Sequence, residues 1–152
     1  MKERWLVLIK PDTLEKRLTG AVVDRLERLG LDIVAAKAVS LTEELVRQHY
    51  AHLAGKPFLE GVIRYMMGDY NHISNHKIIA FVFQGKDCVA KIRTELGATN
   101  PDNAVPYTIR GSFGKFDKAA DIVYNCVHAS DNAQDAEREI ALWFKPEEVL
   151  DA

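Results

Sequence analysis

The sequence predicts an α+β fold, in which a four-stranded antiparallel sheet is covered by helices on one face. Apolar segments rich in β-branched residues alternate with segments whose apolar residues recur at helical spacing. Two strand–helix–strand units follow one another along the chain. The 152 residues suffice for one core, and no repeat or Pro/Gly/Ser-rich linker divides them. We therefore expect a single domain over residues 1–152.

The first unit lies in the N-terminal third of the chain. Arg4–Ile9 is an apolar strand that stops before a proline, which cannot donate to a sheet ladder. One amphipathic helix is predicted next, opened by the capping-box spacing of Asp12 and Glu15 and closed by Gly30. Leu31–Leu41, rich in β-branched and small apolar residues, is the second predicted strand.

The remaining elements complete the second unit. In chain order they are a helix over Thr42–Leu53 with His49 and His52 on its solvated side, a short helix carrying Val62, Ile63 and Met66, a polar loop over Asp69–His76, a strand over Lys77–Phe83, a helix over Asp87–Leu96, a long loop over Gly97–Lys118, a strand over Asp121–Val127, and a last helix marked by Ala136, Ile140 and Trp143. This order matches the ferredoxin-like, split βαβ arrangement. Many unrelated activities use that arrangement, so function has to come from the site.

The bulk properties exclude several classes of partner. Lysine and arginine total 20 against 22 acidic residues, a net charge of −2. Such a balance gives no electrostatic footprint for nucleic acid or an anionic membrane. The two cysteines form no disulfide framework, no signal-peptide layout is visible, and the longest apolar run, Ile78–Phe83, is too short to span a bilayer. A reduced, cytoplasmic setting is expected.

The phosphate-binding motifs based on glycine are missing. No segment fits GxxxxGK[ST], and no GxGxxG follows a predicted strand. If the protein handles phosphates, it does so without a P-loop or a Rossmann turn.

His128 is the first candidate for chemistry. It follows an apolar strand and precedes a helix, and a helix N-terminus is a ready anion site. A lone histidine is more often structural, but Asn125 and Ser130 flank this one with hydrogen-bonding groups. Glu139, two to three turns into the helix, could fix its tautomer. Cys126 is two residues away; strand alternation would send it to the same face as His128, as a small core thiol.

Three cations and one aromatic residue are further candidates. Lys10 interrupts an apolar run just before proline, and Arg110 lies in a glycine-bearing loop where its guanidinium could fork onto phosphate oxygens. Arg93 lies in a predicted helix, and single surface cations are usually only solvated. Phe58 could be a core residue or a platform for a base, and the sequence favours the core. His72 and His76 are four apart without a nearby acid or cysteine, which disfavours a metal site.

Together these pieces resemble the nucleoside-diphosphate kinase family over essentially the whole chain. The strongest match is Asn125 to Asp131, which is similar to the family signature NxxHxSD. The other matching blocks fall in the family's order: Leu8 to Asp12, His49-Tyr50, Lys56-Pro57-Phe58, Leu96 to Pro101, Thr108 to Gly111, and Glu137 to Phe144. One block could be accidental, but this many in order is highly specific.

The resemblance implies a ping-pong mechanism. His128 would take the γ-phosphoryl group of a nucleoside triphosphate, such as ATP, and pass it to a diphosphate, which maintains (d)NTP pools. It further implies magnesium carried by the nucleotide phosphates and not by protein ligands. By the same resemblance Lys10, Arg93, Thr99 and Arg110 would hold the phosphates, Asn125 the sugar and phosphate region, Tyr50 would line the phosphate site, Phe58 would stack on the base, and Ser130 with Glu139 would position the histidine.

The chain departs from the family pattern at several points. Ala129 follows the histidine where glycine is usual, and Arg17 stands where glycine is common. The segments Ser112–Tyr124 and Gly68–Lys77 are longer than in the common form. The first obscures the second wall of the base site, for which Phe116 is the candidate. A homo-oligomer, tetramer or hexamer, is expected. A nucleotide sensor without turnover and a nucleic-acid-binding or scaffolding protein remain the alternatives.

Overall fold

The computed structural model describes residues 2–151. Its strands are β1 (Glu3–Ile9), β2 (Asp32–Ser40), β3 (Lys77–Gly85), β4 (Lys115–Asp117), β5 (Ile122–Tyr124) and β6 (Val127–Ala129). Its α-helices are α1 (Pro11–Glu15), α2 (Thr19–Glu27), α3 (Glu43–His49), α4 (Leu59–Met66), α5 (Cys88–Leu96), α6 (Ile109–Phe113) and α7 (Ala133–Trp143). Short 3-10 turns lie at Ala51–Leu53, Ser74–His76, Pro101–Asn103 and Pro146–Glu148. Within residues 2–151, no helix has the length and apolar character needed to cross a membrane.

Four strands form one antiparallel sheet in the order β2-β3-β1-β6. β1 pairs with β3 along its whole length, from Glu3 opposite Gly85 to Ile9 opposite Ile79. On its other side β1 pairs with the three residues of β6. Each strand–helix–strand unit is thus split by a strand of the other unit, and the predicted ferredoxin-like α+β fold is confirmed.

Helices cover both faces of the sheet, so the prediction of helices on one face is wrong. Strand alternation in β1 sends Trp5, Val7 and Ile9 to a cluster with α2 and α5. It sends Leu6 and Leu8 to a second cluster with α3, α4 and the end of α7. Because the strands are apolar on both sides, both sides must be buried. We call these the α2/α5 face and the α3/α7 face.

The predicted helix after β1 is two helices. α1 ends at Glu15, and Arg17 has a φ of 57°, a left-handed conformation that no helix continues through. The proposed capping box is also wrong, because Asp12 lies inside α1. Its buried carboxylate accepts hydrogen bonds from the Tyr65 hydroxyl and the Cys126 backbone N–H instead.

The predicted long loop and last strand are rearranged. The loop contains α6 and β4, and β4 pairs with β5 as a separate hairpin. The strand expected over 121–127 is broken, since Cys126 has a φ of 70°. β6 begins only after this turn. The thiol of Cys126 therefore packs on the α2/α5 face, whereas His128 lies on the other face, and the expectation that both share a face is wrong.

Candidate active site

His128 is the middle residue of β6 and lies opposite Leu8 of β1. Its Nε2 atom is 2.9 Å from Oε2 of Glu139, which reaches back from α7. The same carboxylate oxygen accepts a hydrogen bond of 2.6 Å from the Ser130 hydroxyl. Ser130 and Glu139 are buried, so this arrangement is rigid and largely dry.

The Glu139 carboxylate selects the tautomer of His128. A carboxylate can only accept, so Nε2 of His128 donates and the lone pair is on Nδ1. Burial, together with the charges of Lys10 and Arg110, lowers the pKa of His128 to about 3. Burial raises the pKa of Glu139, and the hydrogen bond from Ser130 opposes that rise. At neutral pH His128 is therefore an uncharged imidazole with a free lone pair.

Lys10 ends β1 with a buried side chain. Its Nζ donates to Oδ1 of Asn125 over 2.7 Å and lies 5.1 Å from the ring centre of Tyr65. Burial, and next the charge of Arg110, lowers the pKa of Lys10 to about 8. The Lys10 ammonium group is therefore mostly charged at pH 7 and loses its proton as the pH rises through about 8.

Arg110 links α6 to two other stretches of the chain, one at Gly97 and one at Asn125 to Val127. Its guanidinium donates to the backbone carbonyls of Gly97, Asn125 and Val127 over 3.1, 3.1 and 2.9 Å. A guanidinium has five N–H donors. These bonds use three of them, and two remain for an anion.

Arg93 and Thr99 lie beside Arg110 and Asn125, and both are exposed. Arg93 in α5 pairs with Asp131 over 2.9 Å, and both side chains are more than half exposed. Thr99 is exposed, and its backbone carbonyl accepts a bond of 3.2 Å from the Asn125 amide.

The aromatic candidates differ in exposure. Phe58 precedes α4 and is 55% exposed, so its interpretation as a core residue is wrong. Tyr50 is buried, with its ring centre 6.2 Å from that of His128. Phe116 pairs with Val123 across the β4–β5 hairpin. It therefore lies on the hairpin face opposite Tyr124, whose ring packs on Tyr65 at 5.5 Å.

His49 was placed wrongly, on the solvated side of its helix. It is fully buried, with its ring centre 4.4 Å from that of His128. The indole of Trp143 donates to its Nδ1 over 3.0 Å. The signal was available, since His49 is three residues after the core residue Val46 and shares its helix face.

Asp12 and Tyr65 are further site residues that the sequence prediction missed. Asp12 fixes the backbone of Cys126, and Tyr65 lies under Lys10. The signal available for Asp12 was an acidic residue directly after the end of a predicted apolar strand.

The two histidines of the polar loop bond to different partners. His72 bonds to Glu15 over 2.9 Å, and His76 bonds to the Met67 carbonyl over 2.7 Å. Within residues 2–151 the one cluster with three metal-ligand groups is His49, His128 and Glu139.

The neutral His128, the buried Lys10 and the half-buried Arg110 together supply the groups that an enzyme needs to transfer an anionic group through an imidazole nitrogen. The family model for nucleoside diphosphate kinase matches residues 3–149. The nucleoside diphosphate kinase of Symbiobacterium thermophilum is 44% identical over 142 residues, 93% of this chain and 87% of that protein.

Two solved structures are similar over almost their full length. The nucleoside-diphosphate kinase of Borrelia burgdorferi, a transition state mimic with bound vanadate and ADP, has a TM-score of 0.87 at 35% identity and covers 99% of this chain and 92% of its own. The kinase of Halobacterium salinarum in complex with CDP has a TM-score of 0.85 at 36% identity, covering 100% and 93%. The chain belongs to the nucleoside diphosphate kinase family, whose enzymes transfer a phosphoryl group between nucleotides.

Proposed function

We propose that the chain transfers the γ-phosphoryl group of a nucleoside triphosphate to a nucleoside diphosphate through a phosphohistidine at His128. The observation that carries this proposal is the hydrogen bond from His128 Nε2 to Glu139. It leaves Nδ1 as the free nucleophilic nitrogen. The ADP and CDP bound by the two relatives support nucleotides as the substrates, and maintenance of (d)NTP pools would follow.

The reaction has two balanced halves. In the first, the Nδ1 lone pair of His128 bonds to the γ-phosphorus, the bond to the β,γ-bridging oxygen breaks, and the diphosphate leaves with that electron pair. In the second, a β-phosphate oxygen of another diphosphate takes the phosphoryl group, and the lone pair returns to Nδ1. Catalysis then depends on alignment and on positive charge placed in advance.

The surrounding residues suit these roles. Lys10, Arg110, Arg93 and Thr99 would hold the phosphates, and Asn125 the sugar and phosphate region. The Arg93–Asp131 pair is exposed and therefore weak, so Arg93 can exchange its partner for a phosphate. Tyr50 would line the phosphate site, while Ser130 and Glu139 orient His128.

Base recognition would rest on Phe58. Its exposed ring is available for stacking, and stacking tolerates every base because each base has a π-face. We therefore expect broad nucleotide specificity, with Phe116 as the candidate second wall.

Magnesium would reach the site with the nucleotide. Mg²⁺ prefers oxygen ligands, whereas the cluster of His49, His128 and Glu139 offers two nitrogen donors and one carboxylate. The buried Asp12 carboxylate already accepts two hydrogen bonds. These protein groups therefore suit Mg²⁺ poorly, and we expect the nucleotide's phosphate oxygens to hold the metal. The metal would neutralise negative charge on the transferring group.

Three broader properties belong to the same proposal. The chain would act as one kinase domain over residues 1–152, as a homo-oligomer, in the cytoplasm. Exposed Val105 and Tyr107 support self-association. The buried, unpaired thiols of Cys88 and Cys126 suit a reducing compartment.

The direct test is labelling with γ-labelled ATP. We expect an acid-labile, base-stable phosphoenzyme that unlabelled GDP discharges. His128→Ala should bind nucleotide but remain unlabelled, while His72→Ala, at an exposed histidine, should label normally. Nucleotide binding without label in the folded wild type would identify a sensor and exclude the kinase.

A further inference from the structure

Tyr65 of α4 lies inside the candidate site, although the proposed transfer gives it no role. It is only 5% exposed, and the ammonium group of Lys10 lies over its ring, 5.1 Å from the ring centre. The face of an aromatic ring is negative and attracts a cation within about 6 Å, most strongly where water is excluded. Because both residues are buried, the ring stabilises the charged form of Lys10.

Lys10 needs this stabilisation because burial disfavours its charge. Burial lowers the pKa of Lys10 to about 8, an effect that Arg110 strengthens and Asp12 opposes. The charged and titratable groups that act on Lys10 are Asp12 of α1, His49 of α3, Tyr65 of α4, Arg110 of α6, Cys126 before β6 and His128 in β6. At pH 7 the histidines, the thiol and the phenol are uncharged. The ring face of Tyr65 therefore adds to the attraction of Asp12, against the repulsion of Arg110.

Contacts on two sides fix the orientation of the Tyr65 ring. Its hydroxyl donates to one carboxylate oxygen of Asp12, and the other oxygen of Asp12 accepts from the backbone N–H of Cys126 over 3.1 Å. The ring of Tyr124 meets that of Tyr65 nearly at a right angle, with centres 5.5 Å apart. Such edge-to-face contacts are favourable. The ring is thus held in place before any nucleotide binds.

We propose that Tyr65 is a positioning residue whose ring face holds the Lys10 ammonium group in place and keeps it charged. The proposal rests on the proposed role of Lys10 in holding nucleotide phosphates. It gives the two parts of Tyr65 different tasks. The ring acts on Lys10, whereas the hydroxyl acts on Asp12 and, through Asp12, on the turn at Cys126.

The first test is an NMR titration of the Lys10 amino group in nucleotide-free protein, with its signal assigned by its loss in Lys10→Arg. In the wild type we expect a midpoint near pH 8. Tyr65→Phe keeps the ring and should titrate close to the wild type. Tyr65→Leu removes the ring and should lower the midpoint to about pH 7, as expected for loss of a buried cation–π contact. An unchanged midpoint in Tyr65→Leu, or an equal decrease in Tyr65→Phe, would overturn the proposal.

A further variant preserves the shape of the side chain. Pentafluorophenylalanine in place of Tyr65 keeps an aromatic ring, but its fluorine atoms withdraw charge from the ring face. The Lys10 midpoint should then fall below that of Tyr65→Phe. Equal midpoints in these two variants would show that the ring only fills space. This comparison decides the question even if Tyr65→Leu does not fold, which thermal unfolding would reveal.

The second test is the pH dependence of kcat/KM for phosphoryl transfer. Tyr65→Leu should lose roughly three- to fivefold at pH 8, where fewer of its Lys10 groups remain charged, and little at pH 6. Tyr70→Leu, at an exposed tyrosine, should keep the wild-type profile. An equal loss by Tyr65→Leu at every pH would show a merely structural role.

The two tests separate this proposal from the proposed function. If the wild type forms no phosphoenzyme, the kinase proposal fails, while the NMR titration still decides whether the Tyr65 ring stabilises the charge of Lys10. If the wild type is active and the Lys10 midpoint does not respond to the ring, only the role of Tyr65 is wrong.

Discussion

Lys10 is the cation of the candidate site whose pKa is lowered closest to neutral pH. Its pKa is lowered to about 8, mainly by burial, so the ammonium group loses its proton as the pH rises through that value. We expect kcat/KM, which reports the free enzyme, to fall about 10- to 100-fold between pH 7 and pH 10, as for a lost charge-assisted hydrogen bond.

Lys10→Arg is the matched variant for this pH effect. Its guanidinium stays charged throughout, so its kcat/KM should be lower overall but flat with pH. Lys118→Met, at an exposed position on the hairpin, should retain the wild-type profile. A wild-type profile that is flat to pH 10 would contradict the assignment.

His49 should also affect stability in acid. Its pKa is about 2 in the folded protein, mainly because of burial, against about 6.5 in an unfolded chain. Between these values the unfolded state binds more protons, so the stabilising contribution is complete above pH 6.5 and decreases as the pH falls. At pH 5 the loss from this one residue is at most about 2 kcal/mol.

Urea unfolding at pH 7 and pH 5 measures this loss. His49→Asn keeps an acceptor near Trp143 but does not titrate. It should be less stable than the wild type at pH 7, yet lose less stability on going to pH 5. Parallel losses in the two proteins would contradict a neutral, buried His49.

Most of the residues that the sequence singled out lie close together in the structure, but the sequence did not show how they are held. Lys10 interrupts an apolar run, Arg110 lies in a glycine-bearing loop, and His128 follows an apolar strand with Asn125 beside it. The contacts that fix them cross long stretches of chain, such as Asp12 to Cys126. No local pattern encodes such contacts.

At the scale of elements, a close backbone contact explains why residue 111 is a glycine. A Cβ at this position would clash with the Val105 backbone carbonyl. We expect Gly111→Ala to displace the start of α6 together with Arg110, lowering both activity and the midpoint of thermal unfolding. Gly61→Ala in α4 meets no atom within 4 Å and is the control. It should be neutral or stabilising by up to about 1 kcal/mol.

The β4–β5 hairpin is the element with the weakest support of its own. A two-stranded hairpin is marginally stable alone. This hairpin packs against the rest of the protein through the contact between the rings of Tyr124 and Tyr65. Tyr124→Ala should raise the KM for nucleotide several-fold and speed hydrogen exchange at Lys115–Tyr124. Lys118→Ala, which breaks only the exposed pair with Asp102, should change neither.

Long elements were predictable and short ones were not. β1 and β3 are nearly continuous apolar segments, and their type is set by composition. α6 has five residues and β6 has three, too few for any periodicity. The breaks at Arg17 and Cys126 lie at left-handed residues that are not glycine, so neither residue type signalled a turn.

At the scale of the whole molecule, self-association is directly measurable. Light scattering after size exclusion should give a multiple of 17.1 kDa. Tyr107→Glu introduces a charge at a tyrosine that is 73% exposed, and should lower the observed mass if that residue is at the interface. An unchanged mass would place the interface elsewhere, and a wild-type mass of 17.1 kDa would contradict the oligomer.

Because of the left-handed turn at Cys126, the sheet separates the thiol of Cys126 from His128. Both thiols lie on the α2/α5 face, and burial raises the pKa of each to about 12. Reactive thiolate is therefore scarce and separated from His128 by a layer of backbone. Alkylating agents and mild oxidants should therefore leave phosphoryl transfer intact for as long as the fold survives.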